Sequence, residues 1–557
     1  MSILANVPNK DGLAMIDAYI ESCGGINNVN RILSSQGRLI VEVDNSDLLA
    51  KSALDNYCVT MSQVSFEIGH NIDSSKLIQL GSEIRNRQLH AVDKLTSPQK
   101  CEYRPSWHVA PPTGLLNDPN GFICHQGTYH LFYQWYPFEC VHKDKYWAHL
   151  TSTDLVNWEV QPLALTPSDW FDSHGVFSGH AVSTPDQLML YYTGNVRIGE
   201  QRDRQTTQCL AISKDGINFQ KLGPVVDSLP AGVTAHFRDP KVVKIGDVWW
   251  MLVGAQREDL LGRLAVYKSH DLLHWKFDKL YGDDLGDFGY MWECPDLFEL
   301  NGQLIAVIGP QGIQSCSRHH TVAHHNGFLK AAISEQGELS LSDFKMLDHG
   351  FDFYAPQTLE TPDGRRVLTA WMGLPDEINQ PTVDNGWLHQ LTLLRQLTLV
   401  DEKLIQQPIK ELEALRSTLE EFELEYSSRD LKTKAFELHV ELEWGSKLSL
   451  FKDSENECSI LLDKSSQTLL LDRSNTLLRE GDCIRELKLD SETVSFQILA
   501  DNSSLEIFIN GGEFVMTSRV FTPERATHLA LDGKAKFLFW PLSSAKIGLK
   551  DNNPIAI

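Results

Sequence analysis

The chain has 557 residues, with hydrophobic residues at 42% and charged residues at 22%, usage that excludes a disordered or fibrous protein and leaves room for several domains with large cores. Fifty Lys and Arg stand against 74 Asp and Glu, and the net charge of −24 opposes general affinity for nucleic acid or an anionic membrane surface. An anionic ligand therefore needs a local basic pocket.

The opening stretch MSILANVPNKDGLAMIDAYIE lacks the basic start and apolar run of a secretory signal, and no later stretch approaches 18 uninterrupted apolar residues. The expectation is a cytoplasmic protein without membrane insertion. Ten cysteines form no CxxC pair and no Cys/His cluster at zinc spacing, so reduced thiols and no metal are expected.

In chain order, residues 1–98 read as a small α+β domain. DGLAMIDAYIESCGG predicts a helix with a Gly stop, RLIVEVD and QVSFEIG predict strands, and SSKLIQLGSEI is helical again. The linker LTSPQKCEYRP follows, and residues 1–98 are expected to be dispensable for chemistry. Residues 105–405 carry a weak repeat: TSTDLVNWE around Asp154, AISKDGINFQ around Asp215, YKSHDLLHWK around Asp271 and a degenerate AAISEQGELS. Each copy has an apolar strand, a polar turn at Ser-x-Asp and an aromatic four residues after the Asp. A strand-rich unit of that length reads as one propeller blade, and five fit.

Residues 406–425, containing PIKELEALRSTLEEFELE, place leucines at helical spacing behind a proline and predict a linker helix. From 426 to 557 the period becomes two. In KAFELHVELEW, Phe436, Leu438, Val440, Leu442 and Trp444 alternate with Glu437, His439, Glu441 and Glu443, and Asn510-Gly511 supplies a hairpin turn. The fold class expected is mainly β: a five-bladed β-propeller followed by an antiparallel β-sandwich, with a small N-terminal α+β domain.

Three carboxylate motifs lie in the repeat region: LLNDPNG with Asp118, FRDP with Asp239 and MWECPD with Glu293. Corresponding positions of successive blades converge on a central channel. Two carboxylates facing one pocket are the minimum for glycosidic bond cleavage, one as nucleophile or base and the other as acid.

HVAPPTGLLNDPNGFICHQGTYHLFYQW, KYWAHLTSTDLVNWE, GVFSGHAV, HFRDPKVV, YMWECPDLF and DFYAPQT, in this order, resemble glycoside hydrolase family 32, most of all its bacterial sucrose-6-phosphate hydrolases. The resemblance covers about 105–400 almost continuously and extends to EIFINGGE. It implies a retaining attack on a β-fructofuranosyl unit, with Asp118 as nucleophile, Glu293 as general acid/base and Asp239 holding fructose hydroxyls. Leu116, Asn117, Gln134, Phe177, Ser178 and Arg238 would line the sugar subsite, with Trp147 as an aromatic wall. No cofactor is implied, since two carboxyls and water complete the reaction.

On this reading Met291 and Trp292 raise the pKa of Glu293, Asn117 keeps Asp118 charged, and Arg238 pairs with Asp239. Cys294 is either a packing thiol or a tuner of its neighbour. His180, where the family usually has a small residue, stands near the pocket wall. A phosphorylated leaving group would be read jointly by the loops bearing Lys143 and Lys145 and bearing Arg197, Arg202 and Arg204.

CGGINNVNRILSSQGRLIVEVDN and SALDNYCVTMSQVSFEIGHNIDSSKL resemble the glucose-type IIB domain of the bacterial sugar phosphotransferase system. Ser35 stands where that family carries its phosphate-accepting cysteine. The resemblance implies docking or regulation, with contact to a sugar transport system, and not phosphate transfer.

Three functions remain open on these residues. The first is hydrolysis of sucrose 6-phosphate to glucose 6-phosphate and fructose. The second is intracellular invertase activity on sucrose or short fructans, and the third is a catalytically silent sugar-sensing regulator. The presence of all three carboxylates weighs against the third.

Overall fold

The computed structural model describes residues 12–35, 38–50, 58–60, 63–67, 74–95, 100–313, 324–477 and 482–548. It is mainly β.

Between residues 114 and 408 the chain forms five consecutive sheets, begun by the strands Gly114–His125, Val176–Ser183, Val233–Ile245, Met291–Leu300 and Tyr354–Glu360. Each of these first strands packs beside the next, and the fifth packs against the first, so the five form a closed ring. Parallel pairing of Trp387–Leu388 with Gly114–Leu115 fastens the closure. The repeated Ser-x-Asp is the turn before the fourth strand of the first three sheets. Asp154 Oδ1 accepts from the Val156 and Asn157 amides, Asp215 Oδ1 from Ile217 and Asn218, and Asp271 Oδ1 from Leu273 and His274.

Four of the first strands break their ladder at the same point, between Leu116 and Pro119, Arg238 and Lys241, Glu293 and Asp296, and Tyr354 and Gln357. Pro119, Pro240, Pro295 and Pro356 stand at these breaks and have no N–H to donate. Asp239, Cys294 and Ala355 take left-handed backbone angles there, with φ of 68°, 45° and 49°. Residues 117–118, 239–240, 294–295 and 355–356 are thereby freed from strand pairing.

The expected linker helix is not present. Residues Lys410–Leu415 form a short 3-10 helix with Leu412 and Leu415 inward, and Glu420–Asp430 is a strand paired with His528–Pro541. Apolar residues three apart suit a 3-10 face, and the alternation of EEFELE suits a strand edge better than a helix. The C-terminal strands form one hydrogen-bonded, ten-stranded sheet around a core that includes Phe436, Leu438, Val440 and Leu442. Its outer face is not uniformly wet, because Glu437 is buried and bridged to Arg416 at 2.7 Å.

The N-terminal residues form the expected helix Gly12–Ser22, the strands Val29–Ser35, Arg38–Val43, Cys58–Thr60 and Gln63–Glu67, and the helix Ser74–Asp93. Their core of Ile16, Tyr19, Ile20, Val41 and Phe66 also receives Trp170 from the segment preceding the second sheet. Among the described residues no helix is long and apolar enough to cross a membrane.

Candidate active site

The interrupted strands meet at a cavity of about 430 Å³ lined by Asn117, Asp118, Gln134, Phe177, Arg238, Asp239 and Glu293. Ser178 stands directly behind: its Oγ donates to Asp118 Oδ2 at 2.5 Å and accepts from Gln134 Nε2 at 2.5 Å. Asn117 Nδ2 donates to Gln134 Oε1 at 2.7 Å and to Asp118 Oδ1 at 3.2 Å. A relay of donors from the first two sheets therefore ends on the Asp118 carboxylate.

Leu116 and Trp147 do not reach the wall. Side chains alternate along a strand, so Leu116 faces the core while Asn117 faces the cavity. Trp147 is fully buried between the first two sheets, and its Nε1 donates to the Phe177 carbonyl at 3.1 Å. It supports a wall residue instead of being one. The aromatic surfaces of the cavity are Phe177, Tyr354 and Trp371. His180 is buried beside Lys241 and Arg366, away from the cavity lining.

Charge is distributed differently from expectation. Arg238 donates to Glu293 Oε1 through Nε at 2.9 Å and Nη2 at 2.7 Å, and Tyr354 Oη donates to Glu293 Oε2 at 2.5 Å. Burial pushes the Glu293 carboxyl up, but Arg238 and Tyr354 outweigh it and hold it below the usual range. Met291 and Trp292 do not line the cavity: Trp292 packs into the core between the third and fourth sheets, and the tip of Met291 lies against Gly254.

Asp239 is pushed up to about 7 by burial and by Glu293 and Asp118, against the attraction of Arg238. Asp118 is raised by burial and by Glu293, with the Ser178 hydrogen bond opposing. Three carboxyls share one buried site, and the one held by the Arg238 hydrogen bonds is the one whose charged form is favoured.

Cys294 lies between the two aspartates, with Sγ 3.6 Å from Asp118 Oδ2 and 3.7 Å from Asp239 Oδ2, while its amide donates to Asp239 Oδ2 at 3.0 Å. Burial and then the neighbouring carboxylates push the thiol far up, so it stays protonated and is no nucleophile.

The remaining lining is rich in cations. Lys143, Lys145, Arg197, Arg202 and Arg204 all line the same cavity, so both expected loops reach it. Lys145 is 4% exposed, and burial pushes it down to about 7 against the pull of Asp118 and Asp144. It serves the nucleophile's side of the cavity more than its mouth. Arg197, Arg202 and Arg204 form no ion pair among the described residues, and burial with mutual repulsion pushes Arg204 down to about 10.

Sequence reasoning assigned no role to Tyr354, Trp371, His174 or Gln311, all of which line the cavity. Tyr354 had a signal. It occupies in YAP the position that Asn117, Arg238 and Glu293 occupy in NDP, RDP and ECP.

The model of the glycosyl hydrolases family 32 N-terminal domain matches residues 108–408, and that of the family 32 C-terminal domain matches 401–540. The chain belongs to glycosyl hydrolase family 32. It is 57% identical over 535 residues to a probable sucrose-6-phosphate hydrolase of Psychromonas ingrahamii, covering 95% of this chain and 98% of that protein. It is 42% identical to the sucrose-6-phosphate hydrolase of Bacillus subtilis, covering 79% of this chain and 93% of that one. Among solved structures, the sucrose-6-phosphate hydrolase from Lactobacillus gasseri superimposes with a TM-score of 0.76 at 30% identity, over 82% of this chain and 96% of its own. Family membership makes the protein a glycoside hydrolase of the β-fructofuranosidase type.

Proposed function

We propose that this protein hydrolyses sucrose 6-phosphate with retention, releasing glucose 6-phosphate and fructose. The observation that carries the reading is one cavity lined both by Asp118, Asp239 and Glu293 and by Arg197, Arg202 and Arg204, whose guanidinium groups form no ion pair among the described residues. The first set suits an oxocarbenium-like transition state and the second a dianionic leaving group. The names of the relatives support the same substrate.

In this mechanism Asp118 attacks the anomeric carbon of the fructosyl unit while Glu293 protonates the departing glycosidic oxygen. Glu293 then takes a proton from the water that releases fructose. Asp239 holds fructose hydroxyls, and Asn117, Gln134, Phe177 and Arg238 shape the subsite around them, with Ser178 anchoring Asp118. The proton must begin on Glu293, whereas the free site keeps that group ionised. Sugar hydroxyls that donate to Asp118 and Asp239 favour their charged forms and displace the proton toward Glu293. Substrate binding thus arms the acid.

The reading includes an architecture. The closed ring supports a five-bladed propeller over 105–405, joined through 406–425 to a β-sandwich over 426–557, with residues 1–98 as a separate unit. A cytoplasmic location fits free thiols at Cys23, Cys101, Cys124, Cys140, Cys209 and Cys294. Docking of residues 1–98 to a sugar transport system, as their IIB resemblance implies, belongs to the same proposal.

Initial-rate measurements on sucrose and sucrose 6-phosphate side by side test the function. The account expects kcat/KM for the phosphorylated sugar to be about tenfold higher or more. Equal values would return the protein to a plain invertase, and no turnover of either would make it a sensor.

A further inference from the structure

The three arginines stand on the hairpin formed by Leu188–Ile198 and Asp203–Ser213, whose register pairs Arg197 with Arg204. Burial and neighbouring guanidiniums disfavour the charged forms of Arg197 and Arg204, and although the hairpin turn also carries Glu200 and Asp203, no carboxylate ion-pairs with the three arginines among the described residues. Part of what holds the hairpin comes from outside the region matched by the family models, which begins at residue 108.

Gln63 of the N-terminal unit clasps the hairpin at two backbone points. Its Nε2 donates to the Arg197 carbonyl at 3.3 Å, and its Oε1 accepts from the Gly199 amide at 3.0 Å. Glu42 acts one step removed. The Arg197 amide donates to His174 Nδ1 at 3.1 Å, which places the histidine proton on Nε2, and Nε2 donates to Glu42 Oε1 at 3.1 Å. Glu42 Oε1 also accepts from Gln63 Nε2 at 2.6 Å, joining the two clasps. Ser35 Oγ accepts from Gln205 Nε2 at 2.8 Å on the returning strand. Leu33 and Ile40 form a buried apolar cluster with Val196 of the hairpin. Arg31, paired with Glu42 at 2.8 Å, also pairs with Asp144 on the cavity lining and so neutralises an anion that would face an incoming phosphate.

We propose that the N-terminal unit is a specificity-determining scaffold, in which Glu42 and Gln63 are positioning residues that hold the arginine hairpin where it receives the phosphate of the leaving group. The inference rests on the substrate proposed above. Glu42 and Gln63 do not line the cavity themselves. Their loss should therefore reach catalysis only through the hairpin. A rigid cationic hairpin binds a dianion with less ordering cost than a loose one, so the effect belongs in KM for the phosphorylated sugar and not in the chemical step.

The experiment compares Gln63→Ala, Glu42→Ala and Glu42→Gln with wild type, using full-length protein, on sucrose 6-phosphate and on sucrose. Inorganic phosphate serves as a competitive probe of sucrose hydrolysis, and thermal unfolding reports folding. Gln63→Ala and Glu42→Ala should raise KM for sucrose 6-phosphate and Ki for phosphate about fivefold to twentyfold, with kcat on sucrose within about twofold. Glu42→Gln keeps an oxygen for the His174 Nε2–H and should recover much of the loss. If Glu42→Ala fails to fold, Gln63→Ala and Gln205→Ala decide the matter from separate elements. Unchanged KM and Ki in folded variants, or equal weakening of both sugars, would overturn the scaffold role. If instead wild type shows no preference for the phosphorylated sugar, the proposed substrate fails first, and the variants are not needed to show it.

Discussion

Arg238 gives both of its Glu293 hydrogen bonds to a single carboxylate oxygen, Oε1, and leaves Oε2 to Tyr354. The group placed as proton donor is thus the most firmly ionised carboxyl of the empty site. Removing the tyrosine hydroxyl removes a bond to the charged form, so the Glu293 pKa should rise. In the free enzyme Glu293 is the carboxyl that ionises first, so in Tyr354→Phe the acidic limb of kcat/KM should move to higher pH. A shift to lower pH would contradict this placement of the proton.

Asp118→Asn should abolish turnover by removing the nucleophile, whereas Glu293→Gln loses only acid and base assistance, worth about 10² to 10⁴ in rate. A β-fructofuranoside with a good leaving group should partly restore the first step in Glu293→Gln and not in Asp118→Asn. Equal rescue in both would reverse the assignment.

The cations of the cavity divide into two groups with different kinetic signatures. Arg197→Gln combined with Arg204→Gln should raise KM for sucrose 6-phosphate about tenfold or more, a loss of roughly 1.4 kcal/mol, with sucrose nearly unaffected. Lys145 stands in the field of Asp118, so Lys145→Met should lower kcat/KM for both sugars as the nucleophile becomes harder to ionise. Selective loss of the phosphorylated sugar alone in Lys145→Met would place that lysine at the phosphate after all.

The junction between the ring and the C-terminal sheet is a buried charge network. His108 lies 2.9 Å from Asp501 and 3.1 Å from Glu506, and Arg395 bridges Glu506 to Asp348. His108 is pulled down by burial and pulled up further by its two carboxylates, so its net shift is upward. Its contribution is full below the unfolded value of about 6.5 and is lost as pH rises through the folded value. Asp501 and Glu506 are lowered, their partners overcoming burial, so theirs is full above about 4.3 and lost as pH falls through the folded values. Asp348 is raised by burial against Arg395 and has the opposite sign from those two. The Tm contribution of His108 should therefore be greatest between about pH 4.3 and 6.5. The alkaline decline should be absent in His108→Gln, and an unchanged decline in that variant would assign it elsewhere.

Much of the site was legible because the chemistry sits where the strands are broken. NDP, RDP and ECP mark the first, third and fourth sheets, and proline in a central strand announces an interruption that a re-aimed side chain can use. What failed was inference from adjacency. Arg238 is next to Asp239 in sequence, yet it hydrogen-bonds Glu293 across to the next sheet; Trp292 is next to Glu293, yet points into the core. Neighbours on an extended strand face opposite ways, so adjacency predicts separation more often than contact. The clasp of Gln63 on Arg197 and Gly199 was not legible at all, because it joins segments 134 and 136 residues apart that carry no shared motif.

The central claim is that Asp118 attacks the sugar in the cavity where Glu293 supplies the proton. Glu293→Gln mixed with an activated β-fructofuranoside should accumulate a covalent fructosyl adduct, since formation of the intermediate then outruns its base-assisted hydrolysis. Peptide mapping by mass spectrometry should place that adduct on Asp118. An adduct on Asp239, or none while the leaving group is released with inverted sugar, would contradict the account.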